Sequence, residues 1–153
     1  MATTSIEATV RELADKEAIR DLARGYAHCV WRKDVTGAVS LFADDGEMDT
    51  GDRPVIRGRA ALLEEYQRMI TGPDLQPFVH NHLIELRGDT ATGTCYLDLR
   101  ANMNGTSMIG SGYYDDRYVR VGSEWKFQAR QLTICYFVPL NEGWAGQAKR
   151  PPP

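Results

Sequence analysis

The apolar positions of this chain change period near residue 78. From Ile6 to about Lys33 they recur at helical spacing, as Ile6, Val10, Leu13, then Ile19, Leu22, Ala23, Tyr26, Ala27, Val30 and Trp31. That spacing predicts one long helix or two in tandem. Asp34 reads as the N-cap of a short helix carrying Val35, Ala38, Val39, Leu41 and Phe42, which "ADDG" at Ala43–Gly46 should end. "EMDTGDRPVIRG" predicts two short strands around a Gly-Asp-Arg-Pro turn. An amphipathic helix should follow from Arg59 to about Ile70, with Leu62, Leu63, Tyr66, Met69 and Ile70 on its inner side.

Beyond "TGPDLQ" the period becomes that of strands. Phe78–Arg87, Thr90–Met103, Thr106–Arg120 and Trp125–Val138 form a predicted four-stranded antiparallel meander, turned at Gly88-Asp89, at Asn104-Gly105 and by "VGSE". Asn104-Gly105 is the strongest of these signals, because both central residues of such a hairpin turn need positive φ. Helices followed by a long antiparallel sheet give an α+β class. A sheet that curls around its helices leaves a concave pocket, lined by the first helix and by alternate strand residues. The expected organisation is a single domain over 1–143 and a flexible tail over 144–153.

Composition narrows the function. A chain of 153 residues with net charge −3 and a pI near 5.6 lacks the basic excess of a nucleic-acid binder. No apolar run reaches the roughly 18 residues of a membrane helix, and the N-terminal stretch shows no secretory h-region. Cys29, Cys95 and Cys135 are odd in number and widely spaced, which suggests reduced thiols in a cytoplasm. Neither a nucleic acid nor a membrane is expected as a partner.

Several segments together resemble the SnoaL-like branch of the NTF2-like superfamily: "KEAIRDLARGYAHCVWRKDVTGAVSLFADDGEMD", "IRGRAAL", "NHLIELRGDTATG", and "GYYDDRYVR" with "WKFQAR". The resemblance spans roughly Ala14 to Leu140. It implies a cone in which a long curved antiparallel sheet wraps around the N-terminal helices. It also implies cofactor-free dehydration, isomerisation or cyclisation of a hydrophobic, oxygenated small molecule as the partner, in a homodimer or homotrimer. The dehydratase-like members use an Asp-His pair. The Asp stands five residues after a polar residue that matches Tyr26, and the His four residues before an Asn that matches Asn81. Here those two positions hold Trp31 and Pro77. An indole cannot take a proton as a carboxylate does.

The remaining chemistry rests on a short roster. Tyr26 and one histidine of the His80/His82 pair would handle the proton, and Arg130 would steady developing negative charge on oxygen. His28, Trp31, Asp49 and Tyr114 would contact the substrate. In regular register Pro77, Val79 and Asn81 face the pocket, while His80 and His82 face the outer sheet surface; a bulge near Pro77 would turn both histidines inward. Tyr96, Asp98 and Arg100 alternate on one strand face and would meet a partner subunit or solvent. An H-x-H pair can ligate a metal, but no ordered carboxylate accompanies this one, so no metal is expected. A ligand-binding protein without catalysis, or an assembly subunit, remains the alternative to an enzyme.

Overall fold

A computed structural model describes residues 5–147. Helix α1 (Ile6–Trp31) is capped by the Ser5 hydroxyl, which accepts from the Ala8 amide, and it stops where Lys33 enters the left-handed region at φ 58°. Helix α2 (Val35–Ser40) is capped by Asp34, whose carboxylate accepts from the Gly37 amide. Strands β1 (Phe42–Asp49) and β2 (Ile56–Arg57) follow, then α3 (Arg59–Thr71) and the long strands β3 (Asp74–Arg87), β4 (Thr90–Met103), β5 (Thr106–Val121) and β6 (Glu124–Pro139).

The apolar residues of α1 form two stripes on opposite sides of one helix. Ile19, Leu22, Ala23, Tyr26, Ala27 and Val30 are buried, whereas Ile6, Val10 and Leu13 are exposed. The cause is the six-residue step from Leu13 to Ile19. At about 100° per residue it rotates the pattern by roughly 240°, so only the second stripe meets the sheet.

The sheet has six strands in the order β2-β1-β6-β5-β4-β3. The predicted meander is present, and its β4–β5 turn has both Asn104 (φ 53°) and Gly105 (φ 85°) in the left-handed region. Two features differ from the sequence reading. "ADDG" lies inside β1 rather than ending a helix. It forms an irregularity there, because Phe42 pairs with Phe127 and Glu47 with Ala129, leaving four residues of β1 between paired positions. Gly46 makes this local doubling-back feasible, since a Cβ would stand 2.9 Å from both the Ala43 carbonyl oxygen and the Phe42 Cβ. In addition β1 runs parallel to β6, a long-range pairing that no local pattern announces.

Alternation sets which side chains point inward. Leu97 and Ala101 on β4 are buried, while Tyr96, Asp98 and Arg100 lie on the other face. The concave side is packed with rings from several elements: Tyr26 of α1, Tyr66 of α3, Phe42 of β1, Tyr114 and Tyr118 of β5, and Phe127 of β6. Of the tail expected over 144–153, residues 148–153 lie outside the described residues. Within the described part, Trp144 stacks on Tyr136 at 5.3 Å with the rings 6° apart.

Candidate active site

Strand β3 is the edge of the sheet, and its backbone decides which histidine is available. Pro77 pairs with Leu99 and His80 with Tyr96, but the next pair is Leu83 with Thr94. Asn81 and His82 together therefore oppose the single residue Cys95, which is a β-bulge. Asn81 absorbs it at φ 48°, a conformation that Asn tolerates better than most residues. The bulge shifts the alternation by one. His80 points to the outer face, exposed and 3.2 Å from Asp98 Oδ2. His82 points inward, its Nε2 2.8 Å from the Tyr118 hydroxyl. The sequence reading turned both histidines the same way, outward in regular register or inward with a bulge near Pro77; the bulge instead lies between them. Held on opposite faces, they do not form an H-x-H chelate. Gly93 lets β4 come close at this point, since a Cβ there would lie 2.5 Å from the Leu83 carbonyl oxygen and 3.5 Å from His82 Nε2.

Behind His82 runs a continuous line of hydrogen bonds. The Tyr118 hydroxyl donates to Asp116 Oδ2 at 3.0 Å. Asp116 stands directly opposite Arg130 in the β5–β6 ladder and accepts from Arg130 Nε and Nη2, each at 2.9 Å. This two-pronged geometry is that of an ionised pair. Burial pushes the Asp116 carboxyl up, and the guanidinium and the phenol that donate to it oppose that rise. Burial also opposes the Arg130 charge, yet Asp116 keeps that group raised above its ordinary value. Because Tyr118 gives its only proton to Asp116, its oxygen must accept from His82. That fixes His82 as the Nε2–H tautomer and leaves the lone pair on Nδ1. Burial, with Arg130, Arg20 and Arg24 nearby, pushes the His82 imidazole down to about 4, so the ring is neutral at neutral pH.

The other expected residues separate into two groups. Tyr26, Tyr114 and Arg130 are in the sealed core. The Arg130 guanidinium is only 1% exposed and lies over Tyr114 at 3.7 Å, Phe127 at 4.1 Å and Tyr26 at 4.4 Å. Its Nη1 is the one buried side-chain polar atom among the described residues without a hydrogen-bond partner. The Tyr26 hydroxyl is 2.7 Å from that of Tyr66, and burial raises both phenols well above their usual range. A guanidinium so enclosed is a structural ion pair; it does not open onto solvent. Asp49 is placed elsewhere, at the end of β1, accepting from the Gly51 amide at 2.8 Å.

His28 and Trp31 form the second group, on the outer side of α1 along its seam with β3. Trp31 and Pro77, the two positions at which the family resemblance puts an acid and a base, touch each other: the indole Nε1–H donates to the Pro77 carbonyl at 2.8 Å. Pro suits an edge strand because it has no N–H to offer, and the indole satisfies its carbonyl. Two hollows lie along this seam. One, of about 220 Å³, is lined by His82, Asn81 and Cys95 on the strand side and by Arg20, Ala23 and Arg24 on the helix side. The other, of about 550 Å³, adjoins it through Arg24 and Val79 and ends at Trp31 and Phe78. Burial pushes the Cys95 thiol up to about 11, so it is no ready nucleophile.

Sequence reasoning missed Asp116 and Tyr118, and it missed that the bulge falls at Asn81. The first two had a signal: Tyr114, Asp116 and Tyr118 share a strand face, and an inward arginine demands an inward acid on a neighbouring strand. The bulge at Asn81 had only a weak one, an Asn between two histidines.

A family model described as a SnoaL-like domain matches residues 11–131. No curated protein shows a significant match to the chain. Rv3472, a protein of unknown function from Mycobacterium tuberculosis, is 27% identical with a TM-score of 0.77, over 82% of this chain and 75% of that one. A hexachlorocyclohexane dehydrochlorinase, LinA-type3 from Novosphingobium barchaimii, is 23% identical with a TM-score of 0.79, over 94% and 99% of the two chains. An NTF2-like protein with a cystatin-like fold from Novosphingobium aromaticivorans is 22% identical with a TM-score of 0.72, over 88% and 91%.

Proposed function

This chain belongs to the SnoaL-like domain family, and from that premise we propose that it is a small-molecule enzyme of lyase or isomerase type, working without a cofactor, in which His82 moves the proton. The observation that carries this reading is the line His82–Tyr118–Asp116–Arg130. It orients a neutral imidazole, fixes its tautomer and lines a hollow with it. Proton transfer by such a group contributes typically 10²–10⁴-fold.

In this reading Nδ1 takes a proton from a carbon next to a carbonyl of the substrate. The C–H electron pair becomes the new double bond. In an elimination a hydroxyl leaves from the adjacent carbon and receives the proton back from the imidazolium as water departs. In an isomerisation the proton returns to a different carbon. Asp116 lies one phenol away and favours the transient imidazolium, while Arg130 holds Asp116 ionised. Of the His80/His82 pair expected from the sequence, this reading keeps His82, five residues along β3 from the family's histidine position at Pro77, and the tyrosine at its back is Tyr118 rather than Tyr26.

The test is hydrogen–deuterium exchange by NMR at the carbon next to the carbonyl, in a panel of oxygenated aromatic and alicyclic compounds. The expected result is exchange or elimination by the native protein that falls about 10²-fold or more in His82→Ala and stays within twofold in His80→Ala. Undiminished turnover in His82→Ala overturns the assignment. A non-catalytic ligand-binding protein is the competing reading, favoured by the Trp31–Pro77 bond, which occupies both positions of the family's dyad. Saturable binding with no exchange for any compound would establish it.

A further inference from the structure

The two hollows along the α1–β3 seam differ in character, and they share Arg24 and Val79 in their linings. The smaller carries the imidazole and is overhung by Arg20 and Arg24, one helical turn apart on α1. The larger has an apolar floor of Ala27 and Val79 and ends at a pair of rings. Trp31 and Phe78 meet edge to face at 5.4 Å, 43% and 48% exposed. Arg24, His28 and Arg32 stand on its rim at four-residue spacing. The Arg32 guanidinium makes no ion pair among the described residues, and Arg24 meets Glu17 and Asp21 through Nη1 alone. Two half-exposed aromatic rings at the end of a groove edged by cations form a surface with a cationic head and an apolar tail.

We infer that the substrate is an amphipathic carboxylate that also bears the carbonyl activating the reacting carbon, lying along the α1–β3 seam with its carboxylate against Arg20 and Arg24 beside His82 and its apolar tail over Trp31 and Phe78. This rests on the assignment of His82 as the reacting group and adds the class of molecule it acts on. Unused donors select the head: Arg20 meets Glu17, and Arg24 meets Glu17 and Asp21, in each case through Nη1 alone, and the guanidinium N–H groups left over suit a planar carboxylate better than a neutral carbonyl. Area selects the tail. A flat hydrocarbon that covers both rings removes apolar surface from water on both sides at once. The same placement has an effect on the base. A negative charge beside Arg20 and Arg24 offsets part of what holds the His82 imidazole low, so the substrate itself raises the basicity of Nδ1.

The probe is 4-phenylbutanoate, compared with its uncharged amide and with tail-less butanoate, titrated against the full chain by calorimetry and by NMR of the histidine rings. Expected are saturable binding of the acid, at least tenfold weaker binding of the amide and of butanoate, and an upward shift of the His82 pKa on binding. Arg24→Gln and Phe78→Ala should each weaken the acid at least fivefold. Trp31→Phe, which keeps a ring but loses the bond to Pro77, should stay within threefold, so a change of fold is distinguishable from loss of the shelf. His82→Ala should bind the acid within twofold of native. Equal binding of acid and amide, no effect of Phe78→Ala, or a probe that perturbs residues away from the seam overturns the inference. His82-dependent turnover of a neutral compound with no carboxylate binding would overturn the substrate class alone. Carboxylate binding without His82-dependent chemistry would overturn the catalytic assignment alone.

Discussion

At the scale of single residues, His82 is the group whose protonation the fold controls. Burial and the arginines around it push it down to about 4 from an unperturbed value near 6.5. The sign follows from proton counting. Above pH 6.5 the ring is neutral in both folded and unfolded chains. As the pH falls from 6.5 towards 4 the unfolded chain takes up a proton that the folded one refuses, and stability drops. Below about 4 the difference is constant. Because the ring keeps partial contact with water, the effect should be about 1–2 kcal/mol rather than the full value of the shift. Urea unfolding at pH 7.5 and 4.5 should show that loss in the native chain, and His82→Gln should reduce it. An unchanged pH dependence in His82→Gln would mean that the ring titrates normally. The identity of this residue as a candidate was legible in the sequence. Its orientation was not, because strand parity is a property of register, and one extra residue reverses it.

At the scale of elements, the bulge in β3 and the seam between α1 and β3 determine the site together. Asn81 holds the left-handed conformation on which the inward turn of His82 depends. Asn81→Gly should be tolerated, with stability within about 0.5 kcal/mol. Asn81→Val should cost about 1–2 kcal/mol, since a β-branched side chain is strained there, and should lower His82-dependent activity out of proportion to stability. Denaturant midpoints with turnover on the same samples check both; a fully active Asn81→Val would show that the bulge does not position the ring. The helices and the meander were legible because each has its own local signal: caps at Ser5 and Asp34, and Asn104-Gly105 at a turn. The fate of Ile6, Val10 and Leu13 was implicit in the step to Ile19, once the helix is taken as continuous. The strand inside "ADDG" was not, because Asp, Asp and Gly argue against a strand and only pairing with β6 overrides them.

At the scale of the whole molecule, the concave side of the sheet is occupied by its own side chains. The Asp116–Arg130 pair sits at the centre, ringed by Tyr26, Tyr114 and Phe127. Removing one partner leaves the other charge buried and unpaired. Arg130→Met should therefore destabilise by about 3–5 kcal/mol, while Arg130→Met with Asp116→Leu should recover much of that loss. Thermal unfolding of the single and double variants checks it; equal destabilisation by both would mean that the pair is not coupled. The hollows that remain along α1 lie at the margin, where the helix meets the edge strand, and it is there that the proposed chemistry is placed.

The parallel pairing of β1 with β6 also bears on how the chain is made. Phe42 waits for Phe127, and Asp116 waits for Arg130, so the central ion pair and one edge of β1 stay open until the last strand has been synthesised. On a ribosome, the helices, β1 and the β3–β4 hairpin emerge well before β6, whereas β5 directly precedes it. For that interval the nascent chain presents one open edge of β1 and the apolar face of its helices, the kind of surface that chaperones hold.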